Sequence, residues 1–191
     1  MIVFFNSHTI SVEPTSLPIP IRPGWLFSDK DTSGAGPANA QSVSPENQGA
    51  TEAKLTLLIA EDNPTDVLLV KEAIKQYALP LDTFVVDDGQ KALDFIERHE
   101  IDATAPVPDI ILLDLNLPKR SGLEVLRQVR QSRKCANVAV VVFTSSDAAE
   151  DRNAVGALGI TGYFRKPSQY EQFLQIGQVL KEVSANIRSK R

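Results

Sequence analysis

The sequence predicts a doubly wound α/β domain over residues 54–188, a five-stranded parallel sheet with helices on both faces. Three observations carry this prediction. Short apolar runs alternate five times with amphipathic stretches, the rhythm of parallel strands joined by crossover helices. The runs at 55–60, 110–113 and 138–143 are almost wholly apolar, as central strands buried on both faces must be. Four of the runs also stop abruptly on polar residues, at Glu61, Asp114, Thr144 and Arg165.

Leu55-Thr56-Leu57-Leu58-Ile59-Ala60 forms the first strand. Pro64 opens a helix to about residue 78, at a position where its missing N–H costs nothing. Val67, Leu68, Val70, Ala73, Ile74 and Tyr77 fall on one stripe of it. Residues 81–86 form a second strand, polar enough for a sheet edge. The next helix covers 89–98, with Ala92, Leu93, Phe95 and Ile96 inward. Ile110-Ile111-Leu112-Leu113 is the third strand, and Ser121-Gly122 starts a helix to about 130. A fourth strand (138–143), a helix (147–158) and a fifth strand (160–164) follow. Ser168 caps a final helix to about 187. These 135 or so residues suffice for one core.

Residues 1–53 have a different texture. Half of the prolines lie here among Ser, Thr, Asn and Gly, a composition that cannot offset chain entropy by burial. The segment reads as a disordered extension or as a start codon assigned too far upstream. Its apolar run at 2–5 is too short, and lacks the basic flank, for a secretory signal. Trp25-Leu26-Phe27 is a stray apolar cluster or a small docking element.

The formal net charge of −4 gives no reason to expect nucleic-acid or membrane-surface partners. The basic run Lys119, Arg120, Arg127, Arg130, Arg133, Lys134 reads as a solvated helix face. No stretch approaches the ~18 apolar residues of a membrane span. The single cysteine, Cys135, permits no intrachain disulfide and fits a passive thiol in a reducing compartment. A cytoplasmic, soluble protein is expected. Only Ser189-Lys190-Arg191 follow the last helix, which leaves no room there for an output domain.

In a doubly wound sheet, ligands bind beyond the carboxyl ends of the strands. Right-handed crossovers bring those ends to one rim. Glu61 and Asp62, Asp114, Thr144 and Lys166 should therefore converge. Three close carboxylates cannot all stay ionised without a neutralising partner. An all-oxygen donor set favours Mg²⁺ over zinc or copper. Asp62 and Asp114 would bind it directly, the Asn116 backbone carbonyl would be a third ligand, and Glu61 would act through water. Asp114 could then attack phosphorus to give an acyl phosphate, with Lys166 neutralising phosphoryl oxygens and Thr144 donating a hydrogen bond. Each residue alone has an ordinary explanation: Glu61-Asp62 as helix caps, Asp114 as a loop start, Lys166 as a surface charge.

Across 54–188 the chain resembles the response-regulator receiver family. The matching stretches are Leu57-Leu58-Ile59-Ala60-Glu61-Asp62-Asn63, Asp109-Ile110-Ile111-Leu112-Leu113-Asp114-Leu115-Asn116-Leu117-Pro118, Ser121-Gly122, Val141-Val142-Phe143-Thr144-Ser145-Ser146 and Tyr163-Phe164-Arg165-Lys166-Pro167. The resemblance implies a flavodoxin-like strand order 2-1-3-4-5, Mg²⁺ at the acidic pair, and phosphorylation of Asp114 by a histidine kinase or phosphotransfer protein. It implies a cis peptide at Lys166-Pro167. It also implies a switch, in which Thr144 moves toward the phosphoryl group and Tyr163 turns inward. Output, including a homodimer contact, would use the face of helix 4, strand 5 and helix 5. The long loop 99–108 and the stretch from Asp114 to Gly122 are similar to stand-alone regulators paired with bacterial phytochromes. Neither His8 nor His99 has a catalytic partner pattern, so the phosphodonor histidine must come from another protein. On this reading the chain is no conventional enzyme and catalyses only its own phosphorylation and dephosphorylation. Two rivals remain: a phosphatase of haloacid-dehalogenase type, which wants an Asp where Asn116 stands, and a phosphate-independent pseudo-receiver that only binds.

Overall fold

The computed structural model describes the backbone of residues 2–4 and residues 53–191, without the side chains of His99 and Glu100. Six strands form one sheet: β1 (Ile2–Phe4), β2 (Leu55–Ala60), β3 (Leu81–Val86), β4 (Ile110–Leu113), β5 (Ala139–Thr144) and β6 (Gly162–Arg165). Their order is β1-β6-β5-β4-β2-β3. The five strands β2 to β6 are parallel throughout and follow the expected order 2-1-3-4-5.

The sixth strand was not expected. Ile2–Phe4 pairs antiparallel with β6, so the expected disorder of 1–53 does not describe these residues. Ile, Val and Phe all favour extended backbone, and β6 would otherwise be an open edge. Trp25, His8 and the rest of the extension lie outside the described residues.

The period-2 geometry of strands sends alternate residues to opposite faces. Leu58, Ala60, Ile111, Leu113, Val140 and Val142 point to one face, under α2 (Gly89–Ile101), α3 (Gly122–Gln131) and α4 (Ala149–Ala157). Leu57, Ile59, Ile110, Leu112, Val141 and Phe143 point to the other, under α1 (Pro64–Gln76), α5 (Tyr170–Phe173) and α6 (Ile176–Arg188). The strand residues in these two sets are fully or almost fully buried.

Local chemistry starts the helices. The Asn63 side chain accepts from the Thr65 N–H at the head of α1, with Pro64 in the first turn, so the cap is Asn63 and not the acidic pair. Asp88 caps α2, and Ser121 with Glu124 forms a capping box on α3.

Four expectations are corrected. Leu68 is 66% exposed; Leu69 turns inward instead, because the stripe of a 3.6-residue repeat shifts between neighbouring turns. The last helix is not capped by Ser168 and does not run unbroken: it begins at Tyr170, behind Gln169, with no side-chain cap. It breaks between α5 and α6, where the Gln175 and Gly177 N–H groups bond carbonyls only three residues back. All peptide bonds of the described residues are trans, Lys166-Pro167 included; trans is favoured even before proline, by about 0.5–1 kcal/mol. Finally, Arg130 is not on a solvated face. Its guanidinium donates to the carbonyls of Leu158, Ala136, Val138 and Gly159 at 2.9–3.1 Å, tying α3 to the start of β5 and the end of α4. Gly159, at φ +67°, supplies one of these carbonyls from a left-handed turn.

Candidate functional site

The site follows from the parallel register. Ala60 pairs with Leu113, so Glu61 and Asp114 leave the sheet side by side. Thr144 pairs with Arg165, which delivers Lys166 to the same rim. Lys166 Nζ donates to Asp114 Oδ2 at 2.6 Å and to Glu61 Oε2 at 2.7 Å. A third carboxylate, Asp66, lies 3.0 Å away. Sequence reasoning missed Asp66. Its signal was present: an acidic residue in the first turn of α1, immediately beyond the acidic strand end.

Glu61 and Asp114 are buried, while Asp62 is exposed. One oxygen from each of these three side chains lies within 4.8 Å of the others. Such a hard, anionic oxygen cluster can hold a divalent cation. The second oxygens of the buried pair are held by backbone: the Asn63 N–H donates to Glu61 Oε1 at 3.2 Å, and the Asn116 N–H to Asp114 Oδ1 at 3.0 Å. A groove of about 680 Å³ opens above them, with Asn116, Ser145 and Lys166 in its walls.

Burial raises the Glu61 carboxyl to about 7; Lys166 opposes this and the Asp114 charge adds to it. Burial works against the Lys166 ammonium too, but its hydrogen bonds and charge contacts with Asp114 and Glu61 outweigh that and raise its pKa. Lys166 is therefore a cation throughout the physiological range. Its Nζ also lies 4.7 Å from the Phe143 ring centroid.

The loop after Asp114 is clamped from two sides. A Cβ on Gly122 would stand 2.0 Å from the Asp114 carbonyl oxygen, so only glycine permits this approach. At the other end, Lys119 adopts φ 67° and reaches back to Asp88 Oδ2 at 2.6 Å. Lys119 lowers the Asp88 pKa, with help from the Lys91 N–H. Asp88 thus caps α2 and anchors the loop that carries Asn116.

The Thr144 and Tyr163 side chains meet at Ser146, and the Thr144 carbonyl accepts from the Lys166 N–H at 2.8 Å. The buried Thr144 Oγ1 accepts from the Ser146 N–H at 3.2 Å. The Tyr163 hydroxyl donates to the Ser146 carbonyl at 2.9 Å. Tyr163 is inward, 1% exposed, with Arg152 stacked 5.1 Å from its ring centroid; burial raises its pKa. Ser146 Oγ in turn donates to Asp151 of α4 at 2.6 Å. Ser146 stood out in the sequence only as the end of the Val141–Ser146 stretch, since nothing in one dimension reveals that two switch candidates share it. Cys135 is buried in the α2–α4 side of the core.

A parallel five-stranded core in the order 2-1-3-4-5, with an acidic cluster and a lysine at its carboxyl rim, defines a doubly wound receiver-like fold. The chain belongs to the response regulator receiver domain family, whose sequence profile matches residues 57–178. It is 32% identical over 122 residues to the response regulator Rcp1 of Synechocystis, covering 64% of this chain and 83% of Rcp1. The crystal structure of the phosphorylated cyanobacterial phytochrome response regulator RcpA is similar, with TM-score 0.63 and 32% identity over 68% of this chain and 93% of RcpA. So is the Mn²⁺-bound form of Rcp1, with TM-score 0.61 and 31% identity over 66% and 91%. No helix among the described residues is long and apolar enough to cross a membrane.

Proposed function

We propose that this receiver takes a phosphoryl group on Asp114 and passes the signal on by protein contact. The observation that carries the reading is Lys166 bonded to both Asp114 and Glu61 where parallel strands end. A free Asp114 oxygen lone pair attacks phosphorus. The bond from phosphorus to the donor's histidine nitrogen breaks, and the electron pair stays on that nitrogen. The product is an aspartyl phosphate. Lys166 needs no reorganisation to meet the transferred oxygens, because it is already held at the rim. The oxygens of Glu61, Asp62 and Asp114 lie close enough to hold a divalent cation together, and the Asn116 carbonyl would join them from two residues beyond Asp114 on the clamped loop. A Mg²⁺ ion there would neutralise charge on the phosphoryl oxygens.

The Mn²⁺-bound relative supports a divalent ion at this pocket. The phytochrome regulator similarity supports a phytochrome-type histidine kinase as donor. Phosphorylation would act on Ser146. Drawing Thr144 toward the phosphoryl group pulls the residue that also holds Tyr163, which biases the β5–α4 loop between two states. The face of α4, β6 and the last helices, including any homodimer contact, then reads the change.

Incubation with acetyl phosphate or phosphoramidate and Mg²⁺, followed by intact mass, should add one phosphoryl group. Asp114→Asn should add none. No gain from small donors or from a histidine kinase would sink the proposal. Continuous turnover of small phosphoesters would instead favour a phosphatase.

A further inference from the structure

The sheet has two outer edges, and they are protected differently. On β3, Asp82 is exposed and paired with Lys54 at 3.0 Å, and Phe84 and Val85 are also partly exposed. Edge charge of this kind discourages another strand from pairing. Gly162, Tyr163 and Phe164 of β6 are buried, and no charge occurs before Arg165. Nothing in the β6 sequence guards its edge. What covers it is Ile2–Phe4, in the antiparallel register Ile2 with Phe164, Val3 with Tyr163 and Phe4 with Gly162. These residues lie outside the segment that matches the receiver family.

We propose that the outer edge of β6 is a strand-accepting site for a short, uncharged extended segment, occupied in cis by Ile2–Phe4. Main-chain hydrogen bonds supply the affinity in such strand addition, and β-branched and aromatic residue types suit it. Tethering within one chain raises the effective concentration of the segment, so even a weak three-residue pairing is populated. The consequence for signalling rests on the proposed function: β6 belongs to the implied output face, so the cis strand withholds that edge from a partner. The strand addition itself requires no phosphoryl chemistry.

Hydrogen exchange followed by mass spectrometry tests this on the full chain. Val3→Pro removes an amide and rejects the extended ladder. The segment 162–165 should then exchange faster, on the order of tenfold, while 81–86 is unchanged. A synthetic peptide of residues 1–7 should slow exchange again in Val3→Pro and leave the wild-type chain unaffected. Equal exchange in both chains would overturn the pairing. Faster exchange that the peptide does not reverse would overturn the accepting site. Protection that disappears when the wild-type chain is diluted would mean that the strand comes from a second copy, overturning the cis assignment.

Discussion

Lys166 and Arg130 are both drawn from solvent, yet their cages differ in kind. Arg130 meets four backbone carbonyls. Its donors are matched by neutral acceptors, and burial lowers its pKa because no anion answers its charge. Lys166 meets three carboxylates with a single positive charge, so acidic groups outnumber the cation. The first cage is complete and works as a staple. The second is unbalanced, and an unbalanced acidic cage calls for another cation or a charged reaction partner. Buried charge by itself therefore does not mark a functional site; the sign and surplus of its partners do.

Exchanging the two cations is the sharpest way to break that comparison. Lys166→Met should slow phosphorylation by roughly 10²–10³-fold, the loss expected when one preorganised charge is removed, as read by intact-mass time courses. Arg130→Met should destabilise the fold by roughly 2–4 kcal/mol by orphaning carbonyls, as read by urea unfolding. Its phosphorylation rate per folded molecule should not change. If Arg130→Met slowed phosphorylation as much as Lys166→Met, the distinction would collapse.

Gly122→Ala sharpens the contrast from the backbone side. A methyl group 2.0 Å from the Asp114 carbonyl must push the loop away. Overpacking of this kind costs about 1–3 kcal/mol, and phosphorylation should fall with it.

Proton linkage isolates the surplus charge. The folded Glu61 pKa, about 7, lies above its ordinary 4.5. Its stabilising contribution is complete below pH 4.5 and is lost as pH rises through 7. The metal-free domain should lose on the order of 1 kcal/mol per pH unit in that window. Mg²⁺ should offset the loss, and Glu61→Gln should flatten it. Thermal melts from pH 5 to 8 with and without Mg²⁺ decide this; a metal-free stability that rises with pH would refute it.

The smallest effect belongs to the loop clasp. Lys119→Met and Asp88→Asn should each weaken Mg²⁺ binding roughly two- to five-fold, the range of a solvent-accessible ion pair. The double variant should be no worse than either single one, since both remove the same contact.

The central strands were readable because both-face burial writes itself as unbroken apolar runs, and the polar residues at or just past the strand ends named Glu61, Asp114, Thr144 and Lys166 in order. Asp66 left a local signal, its place in the first turn of α1, but its pairing with Lys166 did not show in one dimension, and neither did the meeting of Tyr163 with Ser146. Arg130 was misread for the same reason: six basic residues look alike until carbonyls from 136 to 159 surround one of them. Leu68 and the broken last helix were local errors, in which a one-residue phase shift or a single turn of tighter helix overrode the regular repeat.

By itself the sequence determined the strand count of the parallel core, its helical partners and the chemical inventory at the rim. These depend on periodicity and on the fixed hand of the crossovers, which act locally. Tertiary structure alone decided which carboxylates share Lys166, that Thr144 and Tyr163 meet at Ser146, and that residues 2–4 close the β6 edge. Those outcomes are pairings between segments up to 162 residues apart, as in Ile2 with Phe164. Long-range pairings of this kind are set by the geometry of the assembled sheet, which no local pattern encodes.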